Sequence, residues 1–167
     1  PLPSARPAPP PAGEEQGLRA LRDLRVLDTP REERFDRVTR IAAQLFDVST
    51  AIISLVDRDR QWFKSKVGFD ADETPRELSF CAHAILERGV MQVPDALQDP
   101  RFADNPLVTG SSRVRFYAGA PIAAADGSLV GSLCIIDHRA RQLDADQLEL
   151  LRDLAKLVET ELLVPFV

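Results

Sequence analysis

Arg115-Phe116-Tyr117-Ala118-Gly119-Ala120-Pro121-Ile122-Ala123-Ala124 is followed by Ala125-Asp126-Gly127 and then by Ser128-Leu129-Val130-Gly131-Ser132-Leu133-Cys134-Ile135-Ile136. Two largely apolar runs flank Asp126-Gly127, a pair that takes the positive backbone angles of the tight turns whose twist matches paired strands. The stretch therefore reads as a β-hairpin. Pro121 has no amide proton to give a ladder, so an edge or a bulge is expected there. Upstream, Ala51 to Val56 is a continuous β-rich run, Asp57-Arg58-Asp59-Arg60 is turn material, and Gln61 to Val67 alternates, which gives a second hairpin. On that alternating strand Trp62 and Phe63 must point to opposite faces. Met91 to Val93 reads as a further short strand.

Outside the strands the period changes to that of helices. Leu18, Leu21, Leu24 and Leu27 recur every third residue between charged positions, predicting a short amphipathic helix over Glu14 to Leu27. Thr29-Pro30-Arg31-Glu32 has the form of a helix start, with Thr29 as cap, Pro30 at the first helical position and Glu32 completing a capping box. The helix after it should bury Phe35, Val38, Ala42 and Leu45. Asp72 to Leu78 reads as a charged loop, and Ser79 to Arg88 as a helix capped by Ser79 and ended by Gly89. A long helix runs from Asp144 to Leu163, with Leu148, Leu151, Ala155, Val158 and Leu162 on one stripe and Leu150, Leu154 and Leu157 on its neighbour. The sum is α+β: an antiparallel sheet with helices at both ends of the chain.

The 167 residues suffice for one domain, 14–163, with a Pro/Ala-rich tail or linker over 1–13 that composition reads as disordered, and a C-terminal tail over 164–167. A net charge of −5 without a basic cluster argues against nucleic acid as partner. No apolar run approaches the roughly 20 residues of a membrane span, and no signal-peptide pattern opens the chain, so a cytoplasmic setting is expected. Cys81 and Cys134 match neither a disulfide framework nor a zinc spacing, and read as two buried free thiols. The scattered acids Asp57, Asp95, Asp99, Asp104 and Asp137 fit no cation loop, so neither a metal nor a cofactor is expected.

Seven blocks then carry a resemblance. Ser54-Leu55-Val56-Asp57, Arg60-Gln61-Trp62-Phe63-Lys64-Ser65, Glu73-Thr74-Pro75-Arg76 and Ser79-Phe80-Cys81-Ala82-His83-Ala84-Ile85-Leu86 come first. Asp99-Pro100-Arg101-Phe102-Ala103-Asp104-Asn105-Pro106, Arg115-Phe116-Tyr117-Ala118-Gly119-Ala120-Pro121 and Gly131-Ser132-Leu133-Cys134-Ile135-Ile136-Asp137 complete the set. In this order they resemble a bacterial subfamily of GAF domains found in signalling proteins. The resemblance implies a sheet of five or six antiparallel strands, with terminal helices on one face and loops between Gly68 and Val114 on the other. It implies small-molecule binding between sheet and loops, and an output module such as a diguanylate cyclase, phosphodiesterase or histidine kinase. The ending Leu163-Val164-Pro165-Phe166-Val167 departs from the charged continuation of such proteins, which suits either a piece of a longer chain or a stand-alone member.

On this expectation the candidate ligand pocket comprises Trp62, Phe80, Cys81, His83, Asp95, Arg115, Tyr117 and Cys134. Each has a plain structural reading beside the functional one. Arg115 could grip an anionic ligand with its planar donor fork, or tie loop to sheet through Asp95 or Asp137. Trp62 could wall a ligand or pack in the core. Cys81 and His83, separated by Ala82, depart from the adjacent pair that attaches bilin, and His83 is otherwise a packing residue or a haem ligand. A reductase of free methionine sulfoxide would need a third cysteine and other surroundings. The last helix supplies a dimer face through Leu148, Leu151, Leu154, Val158 and Leu162, unless one broad buried face absorbs both stripes. The expected function is a sensory or regulatory module, not an enzyme, that binds an unidentified small molecule and signals through terminal helices and a homodimer. The rival is a ligand-free dimerisation scaffold.

Overall fold

A computed structural model describes residues 6–165; residues 1–5 of the Pro/Ala-rich tail and Phe166-Val167 of the C-terminal tail lie outside the described residues. The chain runs α1 (Glu14–Asp23), α2 (Glu33–Leu45), β1 (Thr50–Val56), β2 (Arg60–Val67), β3 (Glu73–Pro75), α3 (Phe80–Ala84), β4 (Met91–Val93), α4 (Pro106–Thr109), β5 (Phe116–Ala123), β6 (Leu129–Asp137) and α5 (Ala145–Leu162). The six strands form one antiparallel sheet in the order β3-β2-β1-β6-β5-β4. Both hairpins are present, and Gly127 turns the second one at φ 88°.

Alternation along the strands sorts the core into two halves. Ala51, Ile53, Leu55 and Trp62 point to one face, where α1, α2 and α5 bury Leu21, Phe35, Val38, Ala42, Leu151, Ala155 and Val158. Ile52, Val56, Phe63, Tyr117 and Cys134 point to the other, under Phe80, Cys81, Phe102, Val108 and Val114 from the loops and short helices. α5 begins as expected: Asp144 and Gln147 form a reciprocal capping box. Pro121 also sits where a missing donor is harmless. β4 pairs only with Tyr117 to Gly119, the register shifts between Ile122 and Ala123, and Glu159 of α5 accepts the Ala123 amide at 2.8 Å.

Five expectations are corrected. α1 ends at Asp23 rather than Leu27, with Arg25 and Asp28 turning the chain through positive φ. α2 starts at Glu33, because Thr29 to Glu32 are held as an extended strap by the buried Lys64, whose ammonium donates to Thr29 Oγ1 at 2.8 Å and to Pro30 O at 2.6 Å and pairs with Glu32 at 2.6 Å. Thr29 donates its hydroxyl to Val26 O instead of capping. At the far end of α2, Phe46 is buried and Leu45 is exposed. α3 stops at Ala84 instead of reaching Gly89, since the buried Ile85 must leave the helix to bring Met91 to Val93 to the sheet edge. The expected charged loop over Asp72 to Leu78 contains strand β3, paired with Arg60 to Trp62.

Candidate functional site

Between the sheet and the loops, the fold gathers polar side chains that are far apart in sequence. Ser79 launches α3 by accepting the Ala82 amide at 3.0 Å and donates to Gln61 Oε1 at 2.7 Å. Ser54 donates to that same oxygen at 3.1 Å. One turn on, Cys81 Sγ lies 2.9 Å from Ser132 Oγ and 3.2 Å from the Tyr117 hydroxyl, which is itself 3.3 Å from Ser132 Oγ. Cys134 belongs to the same buried cluster, and all four residues are buried. Donation from Cys134, then from Ser132 and Tyr117, draws the Cys81 thiol below its ordinary pKa against the opposing effect of burial. Cys134 is pushed up by its bond to Cys81 and by burial, and Tyr117 by burial and then by the charge on Cys81.

Aromatic rings seal this cluster from outside. Phe80 stacks on Phe102 with centroids 4.0 Å apart and lies 5.1 Å from the Tyr117 ring. His83 meets the Phe102 ring edge-on at 4.9 Å, and its Nε2 bonds to the Arg6 carbonyl at 3.0 Å. Burial lowers the His83 pKa, with the Arg6 carbonyl opposing. The described residues 6–13 form no helix or strand, and Ala8 packs against the same cluster.

Of the eight candidate residues, four (Phe80, Cys81, Tyr117 and Cys134) meet in one place, with His83 beside them. Asp95 instead caps the turn Ala96–Gln98 by accepting the Leu97 amide. Arg115 pairs with neither Asp95 nor Asp137; its guanidinium donates to Val108 O at 2.7 Å and Val114 O at 3.1 Å, pinning α4 to the start of β5. Asp137 is taken by Arg139 at 3.0 Å. Trp62 belongs to the helical face, since its neighbour Phe63 occupies the loop side. Sequence reasoning passed over Ser132, Ser54, Gln61 and Phe102. Alternation along β6 carried the signal for Ser132, which shares a face with Cys134.

A separate cleft of about 380 Å³ opens beside the loop face, between the start of α1, the end of α3 and the β5–β6 turn. Leu18, Val56, Ile85 and Leu129 give it apolar walls, and Arg76, Arg88, Glu14, Glu87 and Asp126 line it with charges of both signs. Arg76 is already gripped by Glu14 (3.1 Å to Oε2), and Arg88 by the Gly127 carbonyl at 2.9 Å.

The last helix corrects the expected dimer face. Leu151, Val158 and Leu162 are buried in the protomer, and Leu148 and Leu154 lean on the same core. The exposed positions are Leu150 and Leu157, 43 % and 56 % accessible. Arg34 of α2 donates to the Glu161 carbonyl near the end of α5, so the two helices run antiparallel. Leu150 and Leu157 thus lie on a helix packed beside α2, whose Ile41 and Leu45 are also exposed. Among the described residues no His, Cys, Asp and Glu side chains converge in threes as a metal site would, and no helix is long and apolar enough to cross a membrane.

The chain is 45 % identical over 152 residues to the cyclic di-GMP phosphodiesterase PA2567 of Pseudomonas aeruginosa, a match that covers 90 % of this chain and 26 % of that protein. The chain thus spans about a quarter of that relative. Its fold is that of the GAF domain of an Acinetobacter phosphoenolpyruvate-protein phosphotransferase, at 14 % identity and a TM-score of 0.66 over 89 % of this chain and 93 % of that one. It is also that of a type II free methionine-R-sulfoxide reductase from Thermoplasma acidophilum, at 12 % identity and a TM-score of 0.64 over 77 % and 89 %. The GAF family model matches residues 30–162, and the chain belongs to the GAF domain family, as a member related to those of bacterial signalling proteins.

Proposed function

We propose that this domain, residues 14–163, is the non-catalytic regulatory part of a cytoplasmic signalling protein and acts through its helical layer, by pairing with a second copy of itself. The observation that carries the reading is the seam of Ile41, Leu45, Leu150 and Leu157, four large apolar side chains left exposed on two adjacent helices. Exposed charges of both signs surround it: Arg37 and Arg40 on α2, which pair with Glu33 of the same helix, and Glu149, Arg152, Asp153 and Lys156 on α5. A two-fold axis that sets α2 of one copy against α5 of its partner covers the seam. The resemblance to part of a cyclic di-GMP phosphodiesterase supports a phosphodiesterase, cyclase or kinase as the output that such a dimer would align.

Sedimentation of the purified chain tests this. The unaltered chain should be a dimer that Leu157→Glu, at an exposed position, converts to a monomer with an unchanged far-UV circular dichroism spectrum. A chain that sediments as a monomer at every concentration would overturn the reading.

The second reading is a small-molecule sensor. The aromatic seal over Cys81 and Tyr117 leaves the loop face filled by the protein's own side chains, so the cleft at Arg76 and Arg88 supports a ligand better than the loop face does. An anionic ligand there would compete with Glu14 for Arg76 and loosen α1, altering the helical layer. Native mass spectrometry that finds a retained small molecule, lost in Arg76→Gln, favours this second reading.

A further inference from the structure

Residues 6–13 have no part in the dimer seam and precede the stretch that the family model matches, yet the domain holds them. Four of the seven residues from Arg6 to Ala12 are proline, which fixes its own φ and has no amide proton to satisfy. Such a stretch loses little freedom on lying against a surface, so few contacts suffice to dock it. His83 Nε2 donates to the Arg6 carbonyl at 3.0 Å, and Ala8 packs on the loop-side core. Pro7 and Ala8 border a surface hollow with Pro75, Arg76 and Glu77, while Pro11 and Ala12 line the cleft with Ile85 and Leu86. Phe80, Cys81, Ala82 and Ala84 of α3 are buried, which leaves His83 as its outward residue, and the segment ends on that residue.

The other end turns on a glycine. Gly13 takes φ 77° at the start of α1, and a Cβ there would meet nothing within 4 Å. The position therefore requires glycine through its backbone angle alone. Directly after it, α1 is clamped. Glu14 accepts from Arg76 at 3.1 Å, Glu15 accepts from Arg58 at 2.9 and 3.0 Å, and Leu18 and Leu21 are buried. A fixed helix, a left-handed glycine and a stiff segment make a lever with one pivot.

We propose that residues 6–12 are a hinged strap: docked, it braces α3 from outside, and swung out about Gly13, it leaves α3 free to open. The amides of Ile85 and Leu86, bonded to the Cys81 and His83 carbonyls at 3.0 and 3.2 Å, close the turn that the strap braces. α1 belongs to the helical layer and α3 to the loop face, so the strap joins the two faces without passing through the sheet. The linkage is reciprocal: whatever draws the strap away loosens α3, and whatever loosens α3 weakens the strap by the same factor.

Hydrogen exchange of the full chain, read by mass spectrometry on peptides spanning α3, tests this. Ala8→Asp sets a charge where the strap makes its apolar contact, and should speed exchange of the Ile85 and Leu86 amides about tenfold. Gly13→Ala has room for its methyl group but disfavours the hinge angle, and should speed the same amides about fivefold. β1 and β6 should exchange as they do in the unaltered chain. The proposal is overturned if α3 keeps its unaltered rate in either variant, or if β1 accelerates as much as α3. The dimer is tested separately by sedimentation, so either proposal can fail without the other.

Discussion

The helical face of the sheet is closed by three helices whose buried residues recur with the helical period. The opposite face is closed by a five-residue helix, a four-residue helix and irregular loops. A long helix satisfies its own backbone and can present an almost wholly apolar stripe. Short segments cannot, because most of their amides and carbonyls lie at ends. The loop face therefore buries capping side chains with its hydrophobes: Ser79 for α3, and Asn105 for α4, which also donates to the Leu78 carbonyl. One face is closed mainly by apolar stripes, and the other mixes buried polar side chains with its hydrophobes.

The largest expected effect lies on the helical face. Phe35, fully buried beneath the Arg34 guanidinium, should cost about 3–5 kcal/mol of stability when replaced by Ala, read as a lowered urea midpoint. A loss as small as that of a surface change would show that the helical layer is no tighter than the loop layer.

Next comes the one charge this face buries. Burial works to raise the Glu32 pKa, but Lys64 and Arg34 outweigh it and hold the carboxyl below its usual range. The native state then binds this proton more weakly than the unfolded chain does. The pair's stabilisation is full above the unfolded carboxylate pKa, about 4.3, and is lost as pH falls through the lower native value. Glu32→Gln, which removes the carboxylate shared by the buried Lys64 ammonium and the Arg34 guanidinium, should cost about 3 kcal/mol at neutral pH. The gap between variant and parent should narrow in acid, and a gap independent of pH would refute the ion-pair account.

The smallest effect belongs to the loop face. Tyr117→Phe keeps the ring between Phe80 and the sheet but removes the hydroxyl shared by Cys81 and Ser132, at a cost of about 1 kcal/mol. An unchanged urea midpoint would mean that the hydroxyl merely packs.

Much of the fold could be read from the sequence because its signals are local. Asp126-Gly127 marked the hairpin, Asp144 marked the start of α5, and the placement of Trp62 and Phe63 on opposite faces followed from the two-residue period of a strand. The start of α2 was misread because Lys64, more than thirty residues away, takes the groups that Thr29 and Pro30 would have given to a helix. The stripes of α5 were legible as stripes, but the buried share of the helix depends on α2 lying beside it. That neighbour leaves Leu150 and Leu157 outside and encloses Leu151 and Val158.

The sequence by itself determined the class of fold, the family resemblance and the alternation that assigns each strand residue to a face, because these follow from periods and turns a few residues long. Only the tertiary structure decided that Cys81 and Cys134, 53 residues apart, share one buried cluster with Tyr117 and Ser132, and that Arg115 holds backbone carbonyls. Such contacts depend on where a loop lands on the sheet, which is set by closure of the whole core and leaves no local period to read.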